Sequence, residues 1–176
     1  MAVASLLAAS ALVPVASSSA SAADSGIRDV VLEQVPGADS TVKYVKNKHS
    51  GKCLTVHRAS KANNATVNQY TCVGAANQRW NFEWTGGVSY NLRNMNSNKC
   101  LTVHGRSKAN GAAIDQYTCV GQFNQSFYVN ISEPGNTPIK AAHSQKCLDV
   151  QGASTANNAR VIQWSCHGNS NQRWSY

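Results

Sequence analysis

Carboxylates are scarce in this chain. Eight Asp and Glu stand against sixteen Lys and Arg, for a formal net charge of +8. From Thr41 onward only Glu83, Asp115, Glu133 and Asp149 occur, and no two are neighbours in sequence. Glycoside hydrolysis needs two carboxyl groups about 5–9.5 Å apart across the scissile bond, so the composition weighs against such an enzyme. A Gly-x-Ser-x-Gly elbow, a phosphate-binding loop and a Cys/His nucleophile pattern are also missing. No catalytic residue and no cofactor is expected. Cys-x-x-Cys does not occur, and His49, His57, His104, His143 and His167 form no His-x-x-x-His pair, so no metal site is expected either. The basic residues are scattered rather than gathered into a run interleaved with aromatics, which argues against a nucleic-acid partner. They read as a solvated basic face, with attraction to an anionic cell-surface polymer as the second reading.

Long apolar runs are absent too. The apolar stretch from Val3 to Val15 is roughly 13 residues, too short to cross about 30 Å of hydrocarbon, so no membrane span is expected. It runs into a small-residue tract ending at Ala23, with an Ala20-Ser21-Ala22 cleavage pattern and no charged side chain before Asp24. Residues 1–23 therefore read as a secretory signal lacking the usual positive n-region, and the protein as secreted. Residues 24–40 include Pro36 and Gly37 and read as a linker or arm with one short strand at Val30-Val31-Leu32. The remaining 41–176 suits one domain.

What dominates that domain is repetition. Cys53-Leu54-Thr55-Val56-His57 returns as Cys100-Leu101-Thr102-Val103-His104, and again as Cys147-Leu148-Asp149-Val150-Gln151, each 47 residues on. Cys72, Cys119 and Cys166 keep the same period, as do Trp80, Phe127 and Trp174. A unit repeated at fixed spacing decides the architecture before any single residue is weighed. Within each copy the two cysteines lie 19 apart. One disulfide per repeat, Cys53–Cys72, Cys100–Cys119 and Cys147–Cys166, is the natural assignment in an oxidising compartment; pairing between repeats would break the symmetry. Each bridge would close a loop worth about 3 kcal/mol in the chain-entropy estimate.

Each copy reads as four short strands, about twelve in all, without helical periodicity. In the first, Leu54 and Val56 alternate with Thr55 and His57, which places the polar pair on the outer face. The segment Glu133-Pro134-Gly135-Asn136-Thr137-Pro138 reads as a turn between copies two and three. An all-β fold with pseudo-threefold symmetry follows, its three units sharing one closed core because none can bury its apolar face alone.

Together with Gln78-Arg79-Trp80, Gln125-Ser126-Phe127 and Gln172-Arg173-Trp174 closing each copy, the three Cys-Leu-x-Val segments make residues 41–176 resemble the ricin-B-type lectins. The resemblance implies a β-trefoil, non-catalytic carbohydrate binding, and a core role for Trp80, Phe127 and Trp174, although Phe127 departs from the Gln-x-Trp pattern. It also implies a galactose- or xylose-type partner. In this family a pocket takes an Asp after Cys-Leu, an aromatic before the second Cys, a polar residue after it, and the Asn preceding Gln-x-Trp. Copy three carries the full set: Asp149, Trp164, His167 and Asn171, with Gln172 orienting the Asp. The chemistry is reasonable, because a sugar offers an apolar face to an aromatic and hydroxyls to fixed acceptors, of which a carboxylate is the strongest.

Copies one and two keep Tyr70 and Tyr117 and Asn77 and Asn124, but hold Thr55 and Thr102 at the Asp position and Val73 and Val120 after the second Cys. They are weaker candidates. His57 and His104 are expected on the same face as the Thr, and Asp115 is expected to supply in copy two the carboxylate that Asp149 supplies in copy three. The rival function is a trefoil scaffold for protein binding or protease inhibition, with relic sugar pockets.

Overall fold

The computed structural model describes residues 41–176; the expected signal, the arm and its short strand lie outside them. Among the described residues there are fourteen strands. Copy one supplies β1 (Thr41–Tyr44), β2 (Lys46–Asn47), β3 (Cys53–Val56), β4 (Ala65–Tyr70) and β5 (Arg79–Gly86). Copy two supplies β6 (Ser89–Asn94), β7 (Cys100–Val103), β8 (Ile114–Tyr117) and β9 (Ser126–Tyr128). Copy three supplies β10 (Thr137–Pro138), β11 (Lys140–Ala141), β12 (Cys147–Val150), β13 (Val161–Trp164) and β14 (Arg173–Ser175). Two of these are breaks in a longer strand, at Val45 and at Ile139, so the expected four per copy is found. Thr137 and Pro138 belong to a strand rather than to the turn expected there.

The pairing closes on itself. β1 pairs with β5, β5 with β6, β6 with β9, β9 with β11, β10 with β14, and β14 with β2, all antiparallel. Since β1–β2 and β10–β11 are each one broken strand, this ring is a six-stranded barrel with no free edge. The hairpins β3–β4, β7–β8 and β12–β13 form a second layer. They meet through β4–β8 pairing and through the bridges Asn68↔Arg160 and Ala113↔Ile162. That is a β-trefoil. Leu54, Leu101, Leu148, Trp80, Phe127 and Trp174 are all fully buried in one core. The two indoles satisfy their N–H groups on Leu54 O and Leu148 O. All three disulfides form within their repeats.

One expectation needs correcting. All four residues of β3, β7 and β12 are buried, including the outward-pointing Thr55, Thr102 and Asp149. Alternation does put them opposite the core. However, the 3-10 turns Ala76–Gln78, Phe123–Gln125 and Ser170–Gln172 fold over that face and seal it. His57 and His104 begin a further 3-10 turn instead of extending the strand.

A threefold set of polar contacts joins the repeats. Gln69, Gln116 and Gln163 are fully buried. Gln116 Nε2 donates to Ser60 O and Ala62 O in copy one (both 2.9 Å), and its Oε1 accepts from Ser97 Oγ (2.6 Å). Gln163 does the same toward Ser107 and Ala109, and Gln69 toward Ser154 and Ala156, so the three links run round the ring. Buried amides are tolerated here because every donor and acceptor is used.

Candidate functional site

Each copy forms an open cavity beside its Cys-Leu hairpin, and each of these three borrows a wall from another copy. The third, about 510 Å³, is lined by Asp149, Gln151, Trp164, His167, Asn169 and Asn171, with Gly111 from copy two. Trp164 is 41% exposed, whereas Asp149 is only 4% exposed. The carboxylate is held from one side. Its Oδ2 accepts from Gln172 Nε2 (2.8 Å) and Asn171 Nδ2 (3.0 Å), and lies 3.3 Å from His167 Nε2. Among the described residues Oδ1 has no partner. Gln172 is fixed in turn, donating to Ser165 O and accepting from the His167 amide, and Asn171 also donates to Val150 O. The other His167 nitrogen, Nδ1, accepts from the Asn169 amide. Both ring nitrogens are therefore engaged with the protein itself. Burial raises the Asp149 carboxyl above its ordinary 3.8, opposed by the Gln172 hydrogen bond and by His167.

Gly111 has φ +82, a backbone that its counterparts Asn64 and Asn158 also adopt, at 62 and 66. Asn tolerates this left-handed region and Gly accepts it freely. In copies one and two an Asn side chain from the neighbouring copy thus overhangs the cavity, while Gly111 leaves the Trp164 face uncovered.

The second cavity, about 510 Å³, is lined by Thr102, His104, Asp115, Tyr117 and Asn124, with Asn64 from copy one. Asp115 Oδ2 meets His104 Nδ1 at 2.6 Å, while its Oδ1 is buried and has no partner among the described residues. The first cavity, about 420 Å³, gathers Thr55, His57, Asn68, Tyr70 and Asn77, with Asn158 from copy three. There Asn68 Nδ2 contacts His57 Nδ1 at 2.9 Å, and Asn68 Oδ1 is likewise buried without a partner among the described residues. The Thr hydroxyls are not free: Thr55 Oγ1 donates to Cys53 O and accepts from Gln78, and Thr102 repeats this with Cys100 O and Gln125. Asn77 and Asn124 donate to Val56 O and Val103 O.

The structure thus brings each predicted set into one cavity. Sequence reading missed the overhanging Asn64, Gly111 and Asn158, although their 47-residue phase was visible. It also missed Gln151 and Asn169.

Burial raises the Asp115 carboxyl above 3.8, with the His104 hydrogen bond and charge opposing. A raised folded pKa means that stability present below the unfolded value is lost as pH rises through the folded one. Asp115→Asn reproduces the Asn68 arrangement of copy one and removes that loss. The variant is expected to melt a few degrees higher than the parent at pH 7. The gap should shrink as pH falls toward the ordinary carboxylate range. Calorimetry across pH 3–8 would check this, and a gap independent of pH would reject it.

Residues 41–174 match the family model described as the ricin-type beta-trefoil lectin domain. A search of curated proteins gives no significant match. Among solved structures, the designed threefold-symmetric protein ThreeFoil is 38% identical with a TM-score of 0.73, covering 76% of this chain and 96% of its own. The exo-beta-1,3-galactanase 1,3Gal43A from Clostridium thermocellum is 34% identical with a TM-score of 0.74, but the match spans 78% of this chain and only 30% of that one. The C-half of the earthworm R-type lectin, solved in complex with GalNAc, shares the fold at 17% identity and a TM-score of 0.62, over 76% of this chain and 95% of its own.

Proposed function

Because this chain belongs to the ricin-type β-trefoil lectin family, we propose that it is a secreted, non-catalytic carbohydrate-binding protein whose best site is the third cavity. One observation carries the reading. An exposed indole stands in the same cavity as a carboxylate whose Oδ2 is fully engaged and whose Oδ1 is unclaimed. Trp164 stacks on the apolar face of a sugar ring, and Asp149 Oδ1 accepts from its hydroxyls. Gln172, Asn171 and His167 hold the carboxylate in place, so it meets the ligand in a fixed orientation. Galactose, GalNAc and xylose are the first probes. Asp115 is the acceptor of the second cavity, displaced from β7 to β8. Three open cavities of unequal quality suit a polymer, where linkage of weak contacts raises the overall affinity.

Trp164→Ala is expected to weaken monosaccharide binding at this cavity by about tenfold, with little change in melting temperature because the ring is half exposed. Competition from immobilised polysaccharide by free monosaccharides, wild type against variant, would measure it. If no sugar displaces the protein while a protein ligand is captured tightly, the scaffold reading replaces this one.

A further inference from the structure

The three cavities differ in charge. The third contains Asp149 and His167; the second contains Asp115, His104 and Arg106. The first contains Arg58 and His57 and no carboxylate. A second arginine is paired with one of its lining residues. Arg160 of copy three is bridged directly opposite Asn68 in antiparallel register, which puts both side chains on the same face of the sheet. Thr66 opposes Asp115, and Ala113 opposes Ile162, so the other two cavities have no cation at this position. The described residues form one arginine–carboxylate ion pair, Arg93–Glu83, and two histidine–carboxylate contacts, His104–Asp115 and His167–Asp149, and neither Arg58 nor Arg160 takes part in any of them.

The backbone at Arg58 is an independent sign. It adopts φ 52, ψ 26, where the equivalent residues of copies two and three are Gly105 and Gly152 at φ 59 and 65. The left-handed region disfavours a side chain, and such strain persists where it is tied to function. All three copies keep a non-glycine residue in this region at the next position, Ala59, Arg106 and Ala153, but at this one copies two and three have glycine and the first retains an arginine that lines the cavity.

We propose that the first cavity is selective for a sugar carrying an anionic group, a uronate or a sulfate ester, which Arg58 and Arg160 neutralise while Tyr70 covers the ring. The proposal rests on the lectin reading and adds a ligand class. Cavity three takes a neutral sugar on its carboxylate, and cavity one takes an acidic one on its guanidinium groups. A polysaccharide with both residue types would engage the two together.

The test is an NMR titration of the full chain with paired ligands: galactose against galacturonate and galactose 6-sulfate, and xylose against glucuronate. The amides of Tyr70 and Val73 report on cavity one, and the Trp164 indole N–H reports on cavity three. At low salt an anionic ligand is expected to titrate cavity one on the order of tenfold more tightly than its neutral partner. The preference should fall as ionic strength shortens the screening length. The galacturonate and sulfate arms tell which anion is the better fit. Arg58→Gly should erase most of the preference without lowering the melting temperature, because it installs the residue that the other copies use there; Arg160→Gln should reduce it as well. Equal affinity of cavity one for both partners, or a preference that survives both substitutions, overturns the proposal. If no neutral sugar shifts the Trp164 indole either, the lectin reading itself has failed. A normal indole response with an indifferent cavity one removes only this inference.

Discussion

Asp149→Thr is expected to weaken sugar binding at the third cavity by roughly 10- to 100-fold, the value of losing a charge-assisted acceptor, while the domain stays folded. The substitution is already tested within the molecule. Thr55 and Thr102 occupy the same place, accept from Gln78 and Gln125, and donate to the carbonyl two residues back. A threonine at 149 can therefore satisfy Gln172 as its counterparts do, and Asn171 keeps Val150 O as acceptor. What disappears is the unclaimed carboxylate oxygen. The pH dependence should follow. Because burial lifts the Asp149 carboxyl above 3.8, wild-type affinity should fall away on acidification at a pH above the ordinary carboxylate range, while the residual affinity of the variant stays flat there. Titration calorimetry at several pH values, with a thermal melt of each protein, reads both effects. Wild-type affinity in the variant would remove the carboxylate from the site.

Gln116→Leu is expected to destabilise the fold by about 3 kcal/mol, lowering the melting temperature on the order of 10 °C. Leucine fills much of the same volume but leaves Ser60 O, Ala62 O and Ser97 Oγ without their partner. A fully buried group stranded in this way costs about 1–3 kcal/mol; these three are only partly buried, so water recovers part of each. These bonds also span 54 and 56 residues of chain, tying copy two to copy one. Chemical denaturation would measure the loss. A change under about 1 kcal/mol would mean that hairpin packing, rather than the amide links, holds the repeats together.

Much of the architecture was legible in the sequence. The Cys53–Cys72 spacing and its two repetitions identified the bridges, and the phase of Trp80, Phe127 and Trp174 identified the core. The Thr55/Asp149 position was read less well. A period of two tells on which side of a strand a residue lies, but not what covers that side. The cover comes from the turns Ala76–Gln78 and Ser170–Gln172, about twenty residues downstream. The same cover turned expected ligand groups such as Asn77, and the hydroxyl of Thr55, toward partners inside the protein.

The amino-acid sequence by itself determined the threefold repeat, its strands and its disulfide spacing, since these depend on local periodicity and on contacts within one 47-residue unit. Only the tertiary structure decided which side chains share a cavity. Ring closure brings Gly111 to Trp164, Asn64 to Asp115, and both Asn158 and Arg160 to Asn68. Those encounters join residues from different repeats, and no local pattern encodes them. They exist because three units that cannot bury an apolar face alone must meet around one core.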